Sequence, residues 1–275
     1  MSGRPSSRRA IKDADNLRNR IDYATLDRIA RLMVGLKKRM MELLRVETGQ
    51  RVVDVGCGPG TDTVETAQIV GHTGLAVGID HDEAVLAEAQ ARARRAGVTA
   101  WTHFVAADAA AIPYEADFFD SARSERLFQH VSDPAAILRE MVRITKPRGR
   151  IAVADADWAT LSIDTTEVEI ERRIVRALPG LVQNGYAGRQ LLRLFRSFAL
   201  TDVAVEVWPV VWFDLATFWA TSFSLPKLEA RLVASGAVSA EELGRFRADL
   251  AEAQRTGAFF AHGDLMVVAG FKRRE

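Results

Sequence analysis

The stretch Val52-Val53-Asp54-Val55-Gly56-Cys57-Gly58-Pro59-Gly60 decides how the rest of the chain is interpreted. Its β-branched residues predict a buried strand over 51–55, and the three glycines at alternate positions let the backbone pass close to a bound molecule. Thr61 and Asp62 are suited to open a helix directly after the glycines. A strand, a glycine-rich turn and a helix in this order are typical of a site for a nucleotide-like ligand.

Strand and helix patterns alternate after this stretch. The predicted strands are 51–55, 75–80, 101–106, 118–122 and 150–155, and the predicted helices between them are 61–70, 83–96 and 134–144. The turn Lys146-Pro147-Arg148-Gly149 is expected before the last of these strands. Repeated units of this kind predict an α/β fold with a doubly wound, mainly parallel sheet, in which ligands bind beyond the carboxyl ends of the strands.

The segments on either side of this alternation have a different character. Apolar residues recur at helical spacing from Ile21 to Leu44 and predict an N-terminal helical segment, which Gly35 could divide into two helices. After Asp157 the pattern predicts helices at 167–178, 189–198 and 239–255, and strands at 202–208, ending at Pro209, and at 265–271.

We therefore predict one domain with a helical cover inserted in its C-terminal half. The expected parts are a disordered basic tail (1–15), the N-terminal helical segment (16–48), a cofactor-binding core (49–157), and a substrate cover with the final strands of the sheet (158–275). The tail is basic but is followed by no apolar core of a secretory signal.

Composition excludes several classes of function. The 275 residues carry a net charge of +1, from 37 Lys and Arg against 36 Asp and Glu, so the chain has no overall positive field for nucleic acid. No apolar run approaches the roughly 20 residues of a membrane-spanning helix. A single cysteine, Cys57, excludes an intrachain disulfide, and a reducing cytoplasm is expected. No cluster of residues has metal-ligand spacing, which predicts an enzyme that needs no metal.

Three acids at or near the ends of predicted strands narrow the range of possible ligands. The glycine spacing is G-x-G-x-G rather than the G-x-G-x-x-G of dinucleotide sites, and the carboxylate of Asp54 suits a cationic ligand better than a pyrophosphate. Asp80 ends the second strand, where a carboxylate can accept both hydroxyls of a ribose. Asp108 follows the third strand and can accept from an exocyclic amine such as that of adenine. A helix cap at Asp80 and a turn residue at Asp108 are the alternatives.

At this point the chain resembles the class I S-adenosylmethionine-dependent methyltransferases, and within them the small-molecule branch typified by ubiquinone and menaquinone methyltransferases and natural-product tailoring enzymes. The matching stretches, which cover roughly residues 45 to 155, are VVDVGCGPG (52–60), GIDHDE (78–83), AADAAAIPY (106–114), FFDSARSERLFQHVSDP (118–134) and ITKPRGRIAV (144–153). The turn usually read as Lys-Pro-Gly-Gly in this branch has Arg148 at its third position here.

The resemblance implies a set of residues that contact S-adenosylmethionine. Gly56, Gly58 and Gly60 would approach its amino-acid and ribose parts, and Asp54 would act on the methionyl ammonium group through a backbone or water contact. Asp80 would bind the ribose hydroxyls, with His81 beside it, and Asp108 with Ala109 would bind adenine. Arg123 or Ser124 would line the floor beside the sulfonium.

Methyl transfer from a sulfonium depends mainly on holding the reacting atoms in line, which can be worth roughly 7 to 11 kcal/mol. A general base is therefore optional. His130 is the first candidate, because it follows the exit of the fourth strand and an unperturbed imidazole titrates near a pKa of about 6.5. It could equally order the loop before Asp133. Glu125 is the second candidate, and an ion pair with Arg123 or Arg126 is its other explanation.

Aromatic residues outside the alternating core are the main clue to the substrate. They are concentrated from Trp208 to Phe223, and Trp212 and Trp219 are predicted to hold an apolar or planar small molecule. Tyr186 and His262 could face the same pocket. The competing explanation is that the aromatics pack the cover onto the sheet or form a subunit interface of a homo-oligomer. A nicotinamide-dependent oxidoreductase and a non-catalytic binding module are the alternative functions.

Overall fold

The computed structural model describes residues 28, 29, 31–222 and 225–274, with the side chains of 225–227 excepted. The predicted tail (1–15) and the beginning of the predicted N-terminal segment lie outside these residues. The helices are α1 Val34–Leu44, α2 Thr61–Val70, α3 Glu83–Ala96, α4 Pro134–Ile144, α5 Val168–Ala177, α6 Ala187–Ser197, α7 Leu215–Ser222, α8 Leu225–Ala234 and α9 Ala240–Thr256. The strands are β1 Arg51–Val55, β2 Leu75–Asp80, β3 Thr102–Ala106, β4 Phe119–Glu125, β5 Thr145–Ile163, β6 Thr201–Trp212 and β7 Ala261–Phe271.

The strands form one sheet in the order β3-β2-β1-β4-β5-β7-β6. Every described pairing is parallel except those of β7, which runs antiparallel to both of its neighbours. The predicted doubly wound, mainly parallel sheet with an inserted helical cover is confirmed. Strand order reverses at β1, which lies between β2 and β4, so the crevice for a ligand opens where the glycine turn leaves β1.

Helices cover both faces of the sheet. On one face, α1, α5, α7, α8 and α9 share a core with β5, β6 and β7, centred on side chains such as Leu36 and Phe246. On the opposite face, α4 and α6 pack on β1, β4 and β5 through residues such as Met141 and Phe195. Helices α2 and α3 pack against β1 and β2. Among the described residues, no helix has the length and apolarity that crossing a bilayer requires.

Three strands are longer than predicted, and long-range pairing is the reason. β5 continues to Ile163 and β7 begins at Ala261, because these ends pair with each other beyond the rest of the sheet. β6 continues through Pro209 instead of ending there. It is the last strand in the sheet order, so the missing N–H of a proline interrupts no pairing on its outer edge.

Two smaller differences between the predicted and observed elements come from side chains whose partners are distant in sequence. β4 runs on through Arg123 to Glu125, where the charged side chains are buried by ion pairs instead of ending the strand. Gly35 lies inside α1, and the turn that interrupts the helical residues falls at Met33. A Cβ at Gly35 would lie 2.6 Å from the ring of Trp208, so close packing against β6 explains this glycine.

Candidate active site

The three glycines after β1 serve different purposes. All have positive φ, with values of 76° at Gly56, 53° at Gly58 and 74° at Gly60, in the left-handed region that favours glycine. A Cβ at Gly60 would lie 2.7 Å from Ala89, and one at Gly56 would lie 3.1 Å from Leu127. A Cβ at Gly58 would meet nothing within 4 Å. Packing therefore explains two of the glycines, and Gly58 is the one that borders open space.

Asp80 is tied to this glycine loop by its carboxylate. Its Oδ2 accepts the backbone N–H of Gly58 at 2.9 Å, and its Oδ1 accepts that of Asp82 at 3.1 Å. His81 Nδ1 lies 3.2 Å from the same Oδ1. Burial alone would raise the pKa of Asp80, but these hydrogen bonds outweigh it and lower the pKa. The carboxylate is thus ionised at neutral pH, and its remaining lone pairs can accept from a diol.

The third predicted acid lies on the neighbouring strand end. Ala106, the last residue of β3, lies opposite Asp80 in the sheet, and Asp108 follows two positions later. Asp108 is exposed, and its Oδ1 accepts the backbone N–H of Ala110 at 2.8 Å. Ala109 is half-buried against the core. The turn therefore presents a carboxylate and a small apolar residue at the end of β3.

Five charged side chains meet around the glycine loop, and we call them the charge cluster. They are Lys37 of α1, Asp54 of β1, Asp62 of α2, and Arg123 and Glu125 of β4. Lys37 Nζ lies 2.6 Å from Asp62 Oδ2 and 3.0 Å from Glu125 Oε2. Arg123 Nη2 lies 2.8 Å from that Asp62 oxygen and 3.1 Å from Glu125 Oε2. The cluster joins the N-terminal helix to the elements on both sides of the loop.

The carboxylates of the charge cluster differ in how closely cations approach them, and their pKa values shift in opposite directions. Asp54 accepts the hydroxyl of Thr63 at 2.9 Å, and its nearest cation, Arg123 Nε, is 3.5 Å away. Burial raises the pKa of Asp54 to about 6, against the opposing effect of Arg123. For Asp62 burial also acts to raise the pKa, but Arg123 and Lys37 outweigh it and lower the pKa far below the usual value.

The placement of Arg123 and Ser124 corrects one expectation. Arg123 has no exposed surface and lies among the carboxylates of the charge cluster. Ser124 is equally buried, and its hydroxyl donates to the carbonyl of Val55 at 2.8 Å. Neither side chain reaches the protein surface beside the glycine loop. They therefore do not line a cofactor floor in this structure. They hold β4 against the end of β1, directly before Gly56.

A second set of buried and half-buried polar residues lies just beyond the end of the pairing between β5 and β4, and we call it the amide cluster: Gln129, Asp155, Trp158 and Asn184. The amide oxygen of Gln129 accepts the indole N–H of Trp158 at 2.7 Å, and its backbone carbonyl accepts the backbone N–H of Asn184 at 3.0 Å. Asp155 Oδ2 accepts the backbone N–H of Gln129 at 3.2 Å. These contacts join the loop after β4, strand β5 and the segment before α6.

Among the residues that the structure describes, Asp155 forms no ion pair like that of Asp62, although the charge of Arg126 acts to lower its pKa. Burial raises its pKa to about 7, although backbone hydrogen bonds from Ala156, Gln129 and Phe128 act in the opposite direction. Two residues further along β5, Asp157 is buried and forms an ion pair with Arg189.

The amide cluster lies beside the glycine loop. Leu127, two residues before Gln129, is the residue that packs against Gly56. Tyr186 immediately follows Gly185, whose carbonyl accepts the backbone N–H of Trp158 at 3.0 Å. The ring of Tyr186 is partly exposed and lies 5.2 Å from the guanidinium of Arg189. The structure thus places Tyr186 next to the amide cluster.

The other predicted substrate residues are placed differently. Trp212 is buried, and its indole N–H donates to the hydroxyl of Thr221 at 2.9 Å. Trp219 packs against the core of the helical cover, with its ring 4.7 Å from that of Phe218. His262 lies in β7, opposite Ser162, in the extension of the sheet. For the two tryptophans the packing explanation fits, because their rings fill the space between β6 and the covering helices.

The two predicted base candidates also separate. Glu125 is held by Lys37 and Arg123, with Arg126 Nε 3.7 Å from its Oε1, which favours the ion-pair explanation. His130 is exposed at the end of the short 3-10 turn Phe128–His130. In the part of the chain that the structure describes, no group of three or more His, Cys, Asp or Glu side chains is placed to hold a metal ion.

Sequence reasoning missed Lys37, Gln129, Asp155 and Trp158. Lys37 belongs to the basic residues that helical spacing assigns to a solvated face, yet it is 8% exposed. The charged exit of β4 was a signal that buried partners must exist. Asp155 ends the predicted strand 150–155, as Asp80 ends the predicted strand 75–80. The repeated acids at predicted strand ends were therefore a signal that could have identified Asp155. Gln129 and Trp158 carry no such local signal.

Comparison with known families agrees with this geometry. A family model described as a methyltransferase domain matches residues 46–195, more than half of the chain. The chain therefore belongs to this methyltransferase family, and the resemblance seen in its motifs is confirmed. Methyltransferase GfsG of Streptomyces halstedii is 30% identical over 198 residues, which cover 68% of each protein. The family match gives no support to a nicotinamide-dependent oxidoreductase.

Two other relatives match over shorter stretches. A 37.1 kDa protein in transposon TN4556 of Streptomyces fradiae is 37% identical over 159 residues, which cover 58% of this chain and 45% of that protein. The ubiquinone/menaquinone biosynthesis C-methyltransferase UbiE of Vibrio vulnificus (strain YJ016) is 34% identical over 107 residues, covering 39% of this chain and 41% of UbiE. The chain thus spans less than half the length of these two relatives.

A solved structure shows the same fold. Geranyl diphosphate C-methyltransferase from Streptomyces coelicolor A3(2), in complex with Mg²⁺, geranyl diphosphate and S-adenosyl-L-homocysteine, superposes with a TM-score of 0.54. The match covers 87% of this chain and 81% of that enzyme at 15% identity. At this identity the likeness concerns the fold, which confirms the Rossmann-like architecture read from the motifs.

Proposed function

We propose that this protein transfers a methyl group from S-adenosylmethionine to an O, N or C atom of a small, apolar or planar molecule. The family supports the reaction, and the net charge of +1 supports a small-molecule partner over nucleic acid. The proposal includes a cytoplasmic location, which suits a chain with one cysteine, Cys57, that is buried and free.

The observation that carries the proposal is the pairing of Gly58 with Asp80. The loop borders open space at Gly58, and the same residue's N–H fixes the carboxylate that ends β2. An adenosyl group fits this arrangement, because Asp80 can accept two ribose hydroxyls while Asp108, at the next strand end, can accept the adenine amine. The anionic loop suits a ligand with sulfonium and ammonium charges better than a pyrophosphate.

Positioning is the main chemical task of these residues. Bound S-adenosylmethionine supplies a methyl group that its sulfonium charge already activates. Asp80 and Asp108 would fix the adenosyl end, while the charge cluster holds β1, α2 and β4 in register around the glycine loop. Where the acceptor needs to lose a proton, we propose His130 as the base, since it is exposed on the loop that packs against Gly56 through Leu127.

The acceptor class rests on the residues around the amide cluster. Trp158 and Tyr186 offer aromatic surface beside the loop after β4, and their positions are fixed by Gln129 and Gly185. Flat apolar molecules bind well against such rings. UbiE is named for ubiquinone and menaquinone biosynthesis, whose products carry quinone rings, and this name supports a planar acceptor.

Calorimetric titration with S-adenosylmethionine and with S-adenosylhomocysteine tests the proposal. Asp80→Ala removes the ribose acceptor and the partner of the Gly58 N–H, so we expect affinity for either ligand to fall by roughly 100-fold, or about 2.7 kcal/mol. Asp82→Ala is the matched control: it removes the cap of α3 two residues away and leaves the ribose position intact. Absence of binding by the wild type at millimolar ligand would overturn the cofactor assignment.

A second experiment addresses the acceptor. The wild-type protein is incubated with S-adenosylmethionine and a panel of quinols, phenols and aromatic amines, and methylated products are identified by mass spectrometry. We expect turnover among the flat apolar members. Methylation confined to charged, non-aromatic acceptors would contradict the proposed class while leaving the methyl donor unaffected.

A further inference from the structure

A groove of about 340 Å³ lies at the amino-terminal ends of the parallel strands, on the opposite end of the sheet from the glycine loop. It is bordered by the end of α1, the beginning of β5 and the end of β7, close to the first residues of β1 and β4. This volume is within the range of sites that bind small molecules, about 300 to 1,000 Å³. The methyltransferase site described above uses the other ends of the same strands, so the groove has no part in it.

Four cations and two carboxylates line this groove. The cations are Arg45, Lys146, Arg148 and Arg150, and the carboxylates are Glu47 and Asp120. Asp120 is already engaged, because its Oδ1 pairs with Lys146 and its Oδ2 accepts the backbone N–H of Arg51 at 2.8 Å. The lining therefore carries an excess of positive charge.

The three arginines differ in what they contact. Arg150 donates to the carbonyl of Leu43 and lies 4.2 Å from the ring of Phe271. Burial and the nearby charge of Arg45 both lower the pKa of Arg150, as expected where positive charges crowd together. Within the described residues, the guanidinium groups of Arg45 and Arg148 have no ion pair and no hydrogen-bond acceptor.

Both of these unpartnered arginines have a strained backbone. φ is +48° at Arg45, with ψ of 52°, and +63° at Arg148. A residue with a Cβ is less stable in this left-handed region than glycine. Glycine is the usual residue at a helix end such as Arg45, and the chain has an arginine there. It has another at Arg148, in the part of β5 where the register with β4 shifts. Two strained positions that each present a long cation to one groove indicate a binding function.

We propose that this groove binds a phosphate-bearing ligand, with Arg45 and Arg148 as its direct contacts. Guanidinium groups bind phosphate oxygens through paired, charge-assisted hydrogen bonds, and a dianion would neutralise the charge excess of the lining. The ring of Phe271, already beside Arg150, gives an organic portion of the ligand an apolar surface. The site is separate from the methyl-transfer site, and its occupation is independent of S-adenosylmethionine.

Calorimetric titration of the full chain with pyrophosphate, at constant ionic strength held by sodium chloride, tests this site. We expect saturable binding that Arg148→Gly weakens by about tenfold or more, without lowering the melting temperature, because glycine relieves the backbone strain. Arg45→Gly should act in the same way. The control is Arg94→Ala, which removes the same charge from an exposed position on α3 and should leave pyrophosphate affinity unchanged.

A parallel experiment distinguishes two sources of the phosphate group. Sedimentation with phosphatidylcholine vesicles, with and without phosphatidic acid, reports on a lipid headgroup. Pyrophosphate binding that depends on Arg148, without vesicle binding, supports a free phosphate ester. Vesicle binding that depends on both phosphatidic acid and Arg148 supports a headgroup. The proposal is overturned if neither probe binds the wild type, or if Arg148→Gly binds both as the wild type does.

Discussion

The charge cluster and the amide cluster solve the same structural problem with different chemistry. Each holds a loop at the carboxyl ends of the strands through a buried aspartate. In the charge cluster, Asp62 lies against Lys37 and Arg123, and its pKa is lowered in spite of burial. In the amide cluster, the hydrogen bonds that Asp155 accepts come from backbone N–H groups of the described residues, and burial raises its pKa to about 7 against these bonds and the charge of Arg126. The presence or absence of adjacent cations decides the direction of the shift.

This difference separates the two halves of the proposed active site. The cofactor side depends on charges from four elements, including α1, so the N-terminal helix is part of the architecture that supports the glycine loop. The acceptor side depends on neutral hydrogen bonds among three neighbouring segments. Removing a charge from the first region should therefore cost more stability than changes in the second, because an unpaired buried charge is strongly destabilising.

The largest expected effect follows removal of the cation that α1 contributes. Lys37→Met keeps the volume of the side chain but leaves Asp62 and Glu125 with Arg123 as their remaining strong partner. We expect the free energy of unfolding to fall by about 3 to 5 kcal/mol. Urea unfolding followed by far-ultraviolet circular dichroism measures it.

Arg39→Ala is the matched control for this change. Arg39 is on the same helix and pairs with Glu206, but it is 39% exposed, so its loss should leave stability nearly unchanged. If Lys37→Met were as stable as the wild type, the charge cluster would contribute little to holding α1 on the sheet. The contrast between the two regions would then be wrong.

The cofactor half was largely predictable from the sequence because its signals are local. The strand that ends at Val55, the glycines after it and the acid at Asp80 lie within short windows of sequence. Pattern and spacing therefore predicted the bounds of β1, β2 and the helices α2, α3 and α4. Turn chemistry and strand periodicity act over the same short range.

The acceptor half was less predictable because its contacts join residues far apart in the chain. Gln129 meets Trp158 and Asn184 across about 30 and 55 residues, and no local pattern specifies such a pair. Lys37 has the same difficulty, since helical spacing places it on a polar face and its partners lie on α2 and β4. Trp212 is the opposite case. The aromatic content of its stretch suggested a surface for a ligand, but its buried ring packs against the covering helices.

The second prediction compares the glycines within the cofactor half. Gly60→Ala should lower the free energy of unfolding by about 2 to 4 kcal/mol, because it adds both left-handed strain and a clash with Ala89 and Phe104. Gly58→Ala adds only the strain, about 1 to 2 kcal/mol, since its Cβ meets nothing within 4 Å. Gly58→Ala should instead weaken cofactor binding more than its small loss of stability implies.

Thermal unfolding and calorimetric titration of the two variants, run side by side, measure both quantities. Equal loss of stability in the two variants would mean that Gly58 is also a packing position. Wild-type cofactor affinity in Gly58→Ala would move the ligand away from the open space above this glycine.

The smallest expected effect, at most about 1.4 kcal/mol between pH 6 and pH 7, concerns how stability depends on pH. The folded-state pKa of Asp155 is about 7, whereas an unfolded aspartate titrates near a pKa of about 3.9. Between these values the folded state keeps a proton that the unfolded state has released, so the stability that Asp155 contributes is fully present below about pH 4 and is lost as the pH rises to and through about 7. One such proton gives a slope of at most about −1.4 kcal/mol per pH unit.

Asp155→Asn cannot titrate and should remove this part of the slope. Asp54, with a pKa raised to about 6, contributes in the same direction at lower pH, so the difference between variant and wild type is clearest from about pH 6 to pH 7. Urea unfolding at several pH values across this window measures the slope. Asp54→Asn should flatten the curve at lower pH instead. If Asp155→Asn kept the wild-type slope above pH 6, Asp155 would already be ionised in the folded protein, and the amide cluster would hold a charged carboxylate just as the charge cluster does.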